Sequence, residues 1–155
     1  MNTLREKLSL VPWQAKRTAN GDGKHIPEAI ENLVSPEESV RRAAYWKLDN
    51  YIVLQSDLFE AAYSVIPFLI ELLQTTKYGR ELIYDLLFEI ANGYAPANIT
   101  CVTADGSIAP LKEACFNSVK SGISLYTHDL NDSDSSIRGK AHDLIELLSE
   151  PRGET

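Results

Sequence analysis

The sequence predicts an all-α protein, one domain over residues 1–155 built as a short stack of two-helix repeats. Three observations predict it. Apolar residues recur at spacings of three and four through most of the chain, the period of an amphipathic helix. No segment reads as a convincing strand. One turn-then-arginine pattern occurs three times, and self-similarity of that kind marks a repeat architecture.

In chain order, residues 20–24 form a turn, and Ile26, Ile30 and Leu33 then share one side of a short helix. Ser35-Pro36-Glu37-Glu38 offers a hydroxyl cap, a proline at the first helical position and acids in the first turn. The spacing predicts a helix over 36–54, with Val40, Ala44, Leu48, Tyr51 and Ile52 inward. A third helix is expected over 57–75, broken or kinked at Pro67, which lacks an N–H and crowds the preceding turn. Residues 80–92 carry Leu82, Ile83, Leu86, Leu87 and Ile90 on a helical period. The period lapses over 94–109, which predicts an inserted loop or a short hairpin turning at Asp105-Gly106. Helix resumes over 110–129 and 135–149, and the tail from Glu150 is expected to fray.

Three stretches align. Arg41 precedes Ala44 and Leu48, Arg80 precedes Ile83 and Leu87, and Arg138 precedes Ala141 and Ile145, each by three and seven positions. Each follows an apolar helix and a short polar turn. The arginines lie 39 and 58 residues apart, and the longer interval becomes regular if 94–109 is an insertion. A two-helix unit of about 40–47 residues is the HEAT/armadillo class, a short α-α superhelix. The three arginines are then expected at equivalent places near the starts of second helices.

The turn followed by Val/Ile-Arg-x-x-Ala at 35–44 and 131–141 resembles a HEAT repeat signature. Residues 13–93 also resemble a family of small bacterial HEAT-like proteins. The likeness is carried by Trp13, Pro27-x-x-Ile30, Tyr45-Trp46, Gln55 and the run Phe59-x-Ala61-Ala62-x-x-Val65-Ile66-Pro67-Phe68-Leu69. Members of that family lie beside polymorphic or contact-dependent toxins and are taken to be immunity proteins. The resemblance implies a protein that neutralises a cognate toxin by covering its working surface.

Charge narrows the partner. The chain holds 15 Lys and Arg against 22 Asp and Glu, a net charge of −7. Residues 1–25 are basic by three, so the remaining body carries 10 bases and 20 acids. Such a body repels phosphate backbones, which argues against nucleic-acid binding and favours a basic protein partner. A nuclease toxin, RNase or DNase, is basic because its substrate is a polyanion, and an acidic inhibitor in a 1:1 complex would be steered toward it. The longest uncharged apolar stretch, 61–70, is half of the about 20 residues that span a bilayer. The N-terminus is charged at Arg5, Glu6 and Lys7, unlike a secretory leader, so a cytoplasmic protein with reduced Cys101 and Cys115 is expected.

Catalytic and metal chemistry find little footing. His128-Asp129 and His142-Asp143 are fourteen apart, a spacing that fits no common metal motif, and are expected to be exposed surface pairs. Cys115, among Leu111, Ala114 and Phe116, is expected in the core. Residues 131–134 (Asn-Asp-Ser-Asp) crowd oxygen-bearing side chains at a turn, explained by capping of the next helix. No enzyme activity, metal or cofactor is expected.

The binding surface is expected on the second helices. Glu81, Asp85 and Glu89 repeat at four-residue intervals, with Tyr84 and Phe88 placed beside them, away from the packing face. The 36–54 helix places Arg42, Tyr45, Trp46, Asp49, Asn50 and Val53 away from its core face, and Trp46 and Asp49 are taken from these for the binding surface. Trp46 either packs under a neighbouring repeat or joins that surface as an aromatic anchor. The competing site is the insertion, through Tyr94 and Asp105. Two other classes stay open: a scaffold within a larger assembly, and a HEAT-fold enzyme such as a lyase or hydrolase.

Overall fold

The computed structural model describes residues 3–150. The expected fraying of the tail, past Glu150, lies outside the described residues. The structure is mostly helical, with eight α-helices among the described residues. They are α1 (Leu4–Ser9), α2 (Ile26–Asn32), α3 (Glu38–Ile52), α4 (Ala61–Thr75), α5 (Arg80–Ala91), α6 (Leu111–Lys120), α7 (Ile123–Asp129) and α8 (Ser135–Ser149).

Strands are present too, beyond the one short hairpin the sequence allows over 94–109. Three antiparallel hairpins occur: β1 (Arg17–Thr18) with β2 (Gly21–Asp22), β3 (Val53–Leu54) with β4 (Asp57–Leu58), and β5 (Thr100–Val102) with β6 (Ile108–Pro110). Each strand is two or three residues long, too short for alternation to register. The β3–β4 turn places Gln55 and Ser56 at φ 52° and 71°, the left-handed pair that a two-residue hairpin needs. The third hairpin turns at Asp105-Gly106 as the sequence predicts.

Helix ends depart from expectation for local reasons. Ser35 does not cap α3; its hydroxyl accepts from the Glu37 amide, holding 35–37 as a turn, so the helix starts at Glu38. Pro67 does not break α4. Its ring lies on the exposed side, where the carbonyl it leaves unpaired can meet water. The helix expected over 110–129 divides at 121–122. A Cβ on Gly122 would lie 2.6 Å from the Tyr126 hydroxyl, which folds back to donate to the Val119 carbonyl at 2.8 Å.

One apolar core runs from Leu8 and Trp13 through Leu48, Leu69, Leu87 and Cys115 to Leu148. Helix α5 is its centre and packs against α3, α4, α6 and α8. α2 pairs with α3, and α7 with α8. First-turn residues of α3, α5 and α8 line one cleft, and residues one to two turns further along line another. The three helices therefore run side by side in one direction and share a face. The N-terminal segment is tied on by Arg5–Glu31 (2.9 Å) and Lys7–Glu71 (2.5 Å), and Trp13 Nε1 donates to the Leu8 carbonyl at 2.8 Å.

Two of the three arginines are equivalent. Arg41 and Arg138 each stand fourth in their helix and donate 2.8 Å back to the carbonyl six residues earlier, Ser35 and Asp132. Arg80 instead opens α5, because the left-handed Gly79 (φ +80°) starts that helix abruptly.

Candidate acidic binding cleft

On the shared face, Tyr45 of α3, Asp85, Phe88 and Glu89 of α5, and Lys140 and Asp143 of α8 enclose a cleft of about 220 Å³. Helical spacing assembles it. Asp85 and Glu89 lie four apart on one side of α5, as Tyr45 and Asp49 do on α3. The Tyr45 hydroxyl is held above its ordinary pKa by burial and by the charges of Asp49, Asp85 and Glu89. The Asp49 carboxyl is likewise raised, by burial first and then by Glu89. Asp49 and Asp85 are half-buried there, whereas Glu89 and Asp143 are exposed. Lys140 Nζ donates to Asp85 Oδ1 at 2.6 Å and is the cleft's own cation.

Trp46 is 56% exposed and meets the Tyr45 ring edge-on, with centroids 5.0 Å apart. Of the two places open to it, the structure chooses the surface.

Tyr84 is a correction. Expected as an exposed anchor, it is buried, and its hydroxyl donates to Asp129 Oδ2 at 2.5 Å. Because α5 is packed on several sides, the helix face that a single apolar stripe would leave in water meets α8, and Tyr84 meets Tyr126 and Asp129 of α7. Asp129 is a second correction: it is buried, not a surface partner of exposed His128, and it also receives Arg80 Nη2 at 2.7 Å. Arg80 Nη1 reaches Asp132 at 2.8 Å, so one arginine staples α5 to the end of α7 and to the middle of the α7–α8 turn. Asp134 caps α8 by accepting from the Ser136 and Ile137 amides, as the turn's composition implied.

The remaining predicted residues divide. Asp49, Asp85, Phe88 and Glu89 come together; Glu81 lies a turn earlier on α5 and lines a different cleft. Tyr94 and Asp105 are outside the acidic cleft. Tyr94 is exposed beneath Lys112 Nζ, 5.3 Å from its centroid, and its backbone pairs with Ser56 and Leu58. Asp105 is occupied in closing its hairpin, accepting from the Thr103 hydroxyl and from the Ser107 amide and hydroxyl, which together lower its pKa to about 2. It is a turn former, not a free contact. Tyr45, Lys140 and Asp143 were missed as site residues. The four-residue step from Tyr45 to Asp49 was a signal for the first, but nothing local ties α8 to α3 and α5.

Cys115 is in the core as expected, its thiol pushed upward by burial; Cys101 is buried as well. Among the described residues no group of three or more His, Cys, Asp and Glu side chains is placed to hold a metal ion. No helix among them is long and apolar enough to cross a membrane. The chain matches no protein-family model, no curated protein and no solved structure.

Proposed function

We propose that the chain is a HEAT-like, protein-binding immunity protein that neutralises a basic, nuclease-type bacterial toxin by covering its working surface. One observation carries it: Asp49, Asp85, Glu89 and Asp143 surround Tyr45 and Phe88 on a face shared by three parallel helices, with exposed Trp46 at its edge. Aromatic side chains within a ring of acids are suited to receive lysine or arginine side chains of a partner. The rings supply desolvated area and cation–π contact, while the carboxylates supply steering. The ammonium of Lys140 on Asp85 is the same contact made within the chain. The HEAT-like assignment is supported by the side-by-side second helices and by the matching back-bonds of Arg41 and Arg138.

The test is protection. The native chain and Glu89→Lys are each co-expressed with candidate basic nuclease toxin domains, and growth is followed. Glu89 is exposed and is the clean probe, whereas reversing Asp85 would also strand Lys140. The native chain is expected to protect and bind, and Glu89→Lys to weaken binding by about tenfold or more. Protection undiminished by Glu89→Lys together with Trp46→Ala would remove this face from the interface.

A further inference from the structure

A second cleft, of about 310 Å³, lies at the other end of the shared face, between the first turns of α3, α5 and α8 and the 77–79 turn. That is the lower end of the size range of small-ligand sites. Most charges around it are already matched. Arg80 is held by Asp129 and Asp132, Arg42 by Glu38 four residues earlier, and Asp134 by the α8 amides. Arg41 and Lys77 are not: among the described residues neither has a carboxylate within ion-pair distance. Each instead sits 5.6 Å from the centroid of the Tyr78 ring, and Arg41 commits one Nη to the Ser35 carbonyl. Four bases and four acids line the cleft, so its charges balance overall; Glu81 and Asp134 have no cation partner among the described residues, and Arg41 and Lys77 are the two cations left without a carboxylate.

The placement is fixed rather than incidental. Gly79 lies so close to Leu33 that a Cβ would be 2.3 Å from its carbonyl oxygen, which seats the turn carrying Lys77 and Tyr78 against the end of α2, with Arg41 Cδ of α3 3.5 Å away. A guanidinium with unused N–H groups and an ammonium packed on the same aromatic ring offer the two groups that match a phosphate, a planar fork and a point charge. We propose that this cleft binds a small phosphate-bearing anion between Arg41 and Lys77. The cleft is distinct from the acidic one and does not depend on the toxin-binding role.

Calorimetric titration of the full chain with inorganic phosphate, pyrophosphate and a nucleoside monophosphate tests it, with sulfate for comparison. Saturable one-site binding of at least one phosphate probe is expected, tighter than sulfate. Which of the three binds best separates a free anion from a phosphate ester. Lys77→Gln should weaken binding about tenfold, and Arg41→Lys, which keeps the charge and loses the fork, should weaken it as well. Lys24→Gln, at an exposed lysine in the turn between β2 and α2, should change nothing. Thermal melts establish that each variant is folded. No saturable binding by any phosphate probe, equal affinity for sulfate, or equal weakening by Lys77→Gln and Lys24→Gln would overturn the proposal.

Discussion

Asp129 shows how much one buried charge can matter here. Its carboxylate receives Arg80 and the Tyr84 hydroxyl, and all three lie between α5 and the α7–α8 turn. Removing the carboxylate leaves the buried Tyr84 hydroxyl unsatisfied and Arg80 with Asp132 alone, at a cost of about 1–3 kcal/mol. Asp129→Ala is expected to lose that much in denaturant unfolding; a loss under about 1 kcal/mol would place the pair among exposed ones. Asp49 works in the opposite sense. Its carboxyl is held above the unfolded value, so the folded chain keeps that proton longer than the unfolded chain does. Stability from this group is therefore greatest at low pH and falls as pH rises from about 4 through the folded value. Asp49→Asn should raise Tm at neutral pH, with the gain disappearing toward about pH 4. A fall in Tm at neutral pH would show that the carboxylate stabilises the fold.

The turns between elements carry as much information as the helices. Gly79 and Gly106 are both left-handed, at φ +80° and +86°, yet their surroundings differ. A Cβ at Gly106 would meet nothing within 4 Å, so Gly106→Ala should cost only the backbone term of about 1–2 kcal/mol. Gly79→Ala adds a collision with the Leu33 carbonyl and should cost clearly more in the same unfolding experiment. Equal costs would mean that the α4–α5 turn is not seated on α2. Long periodic elements were legible: α8 falls where its apolar positions place it, and α2 and α5 end within a residue. The hairpins were not, except the third, because two-residue strands leave no period. The start of α3 was misplaced because Ser35 bonds its own turn rather than the helix.

Over the whole molecule, charge is arranged by position rather than by total. Carboxylates gather around Tyr45 and Phe88, while two unmatched cations stand at the other end of the same three helices. If a basic partner meets the acidic cleft, the association rate should fall with salt, and Glu89→Lys should flatten that dependence. Asp105→Lys, on a hairpin turn outside the cleft, should leave it unchanged; the reverse result would move the interface to the insertion. Residue order alone sets the helical class, the acidic body, the hairpin at Asp105-Gly106 and the four-residue runs that put Asp85 beside Glu89, because these follow from local period and composition. Which helices become neighbours is not local. Only packing turned Tyr84 inward onto Asp129, left Trp46 in solvent, and brought Lys140 and Asp143 of α8 to Tyr45 of α3. A helix buried on several sides has no free face for its sequence to advertise, and a site built across three helices exists only once they are docked.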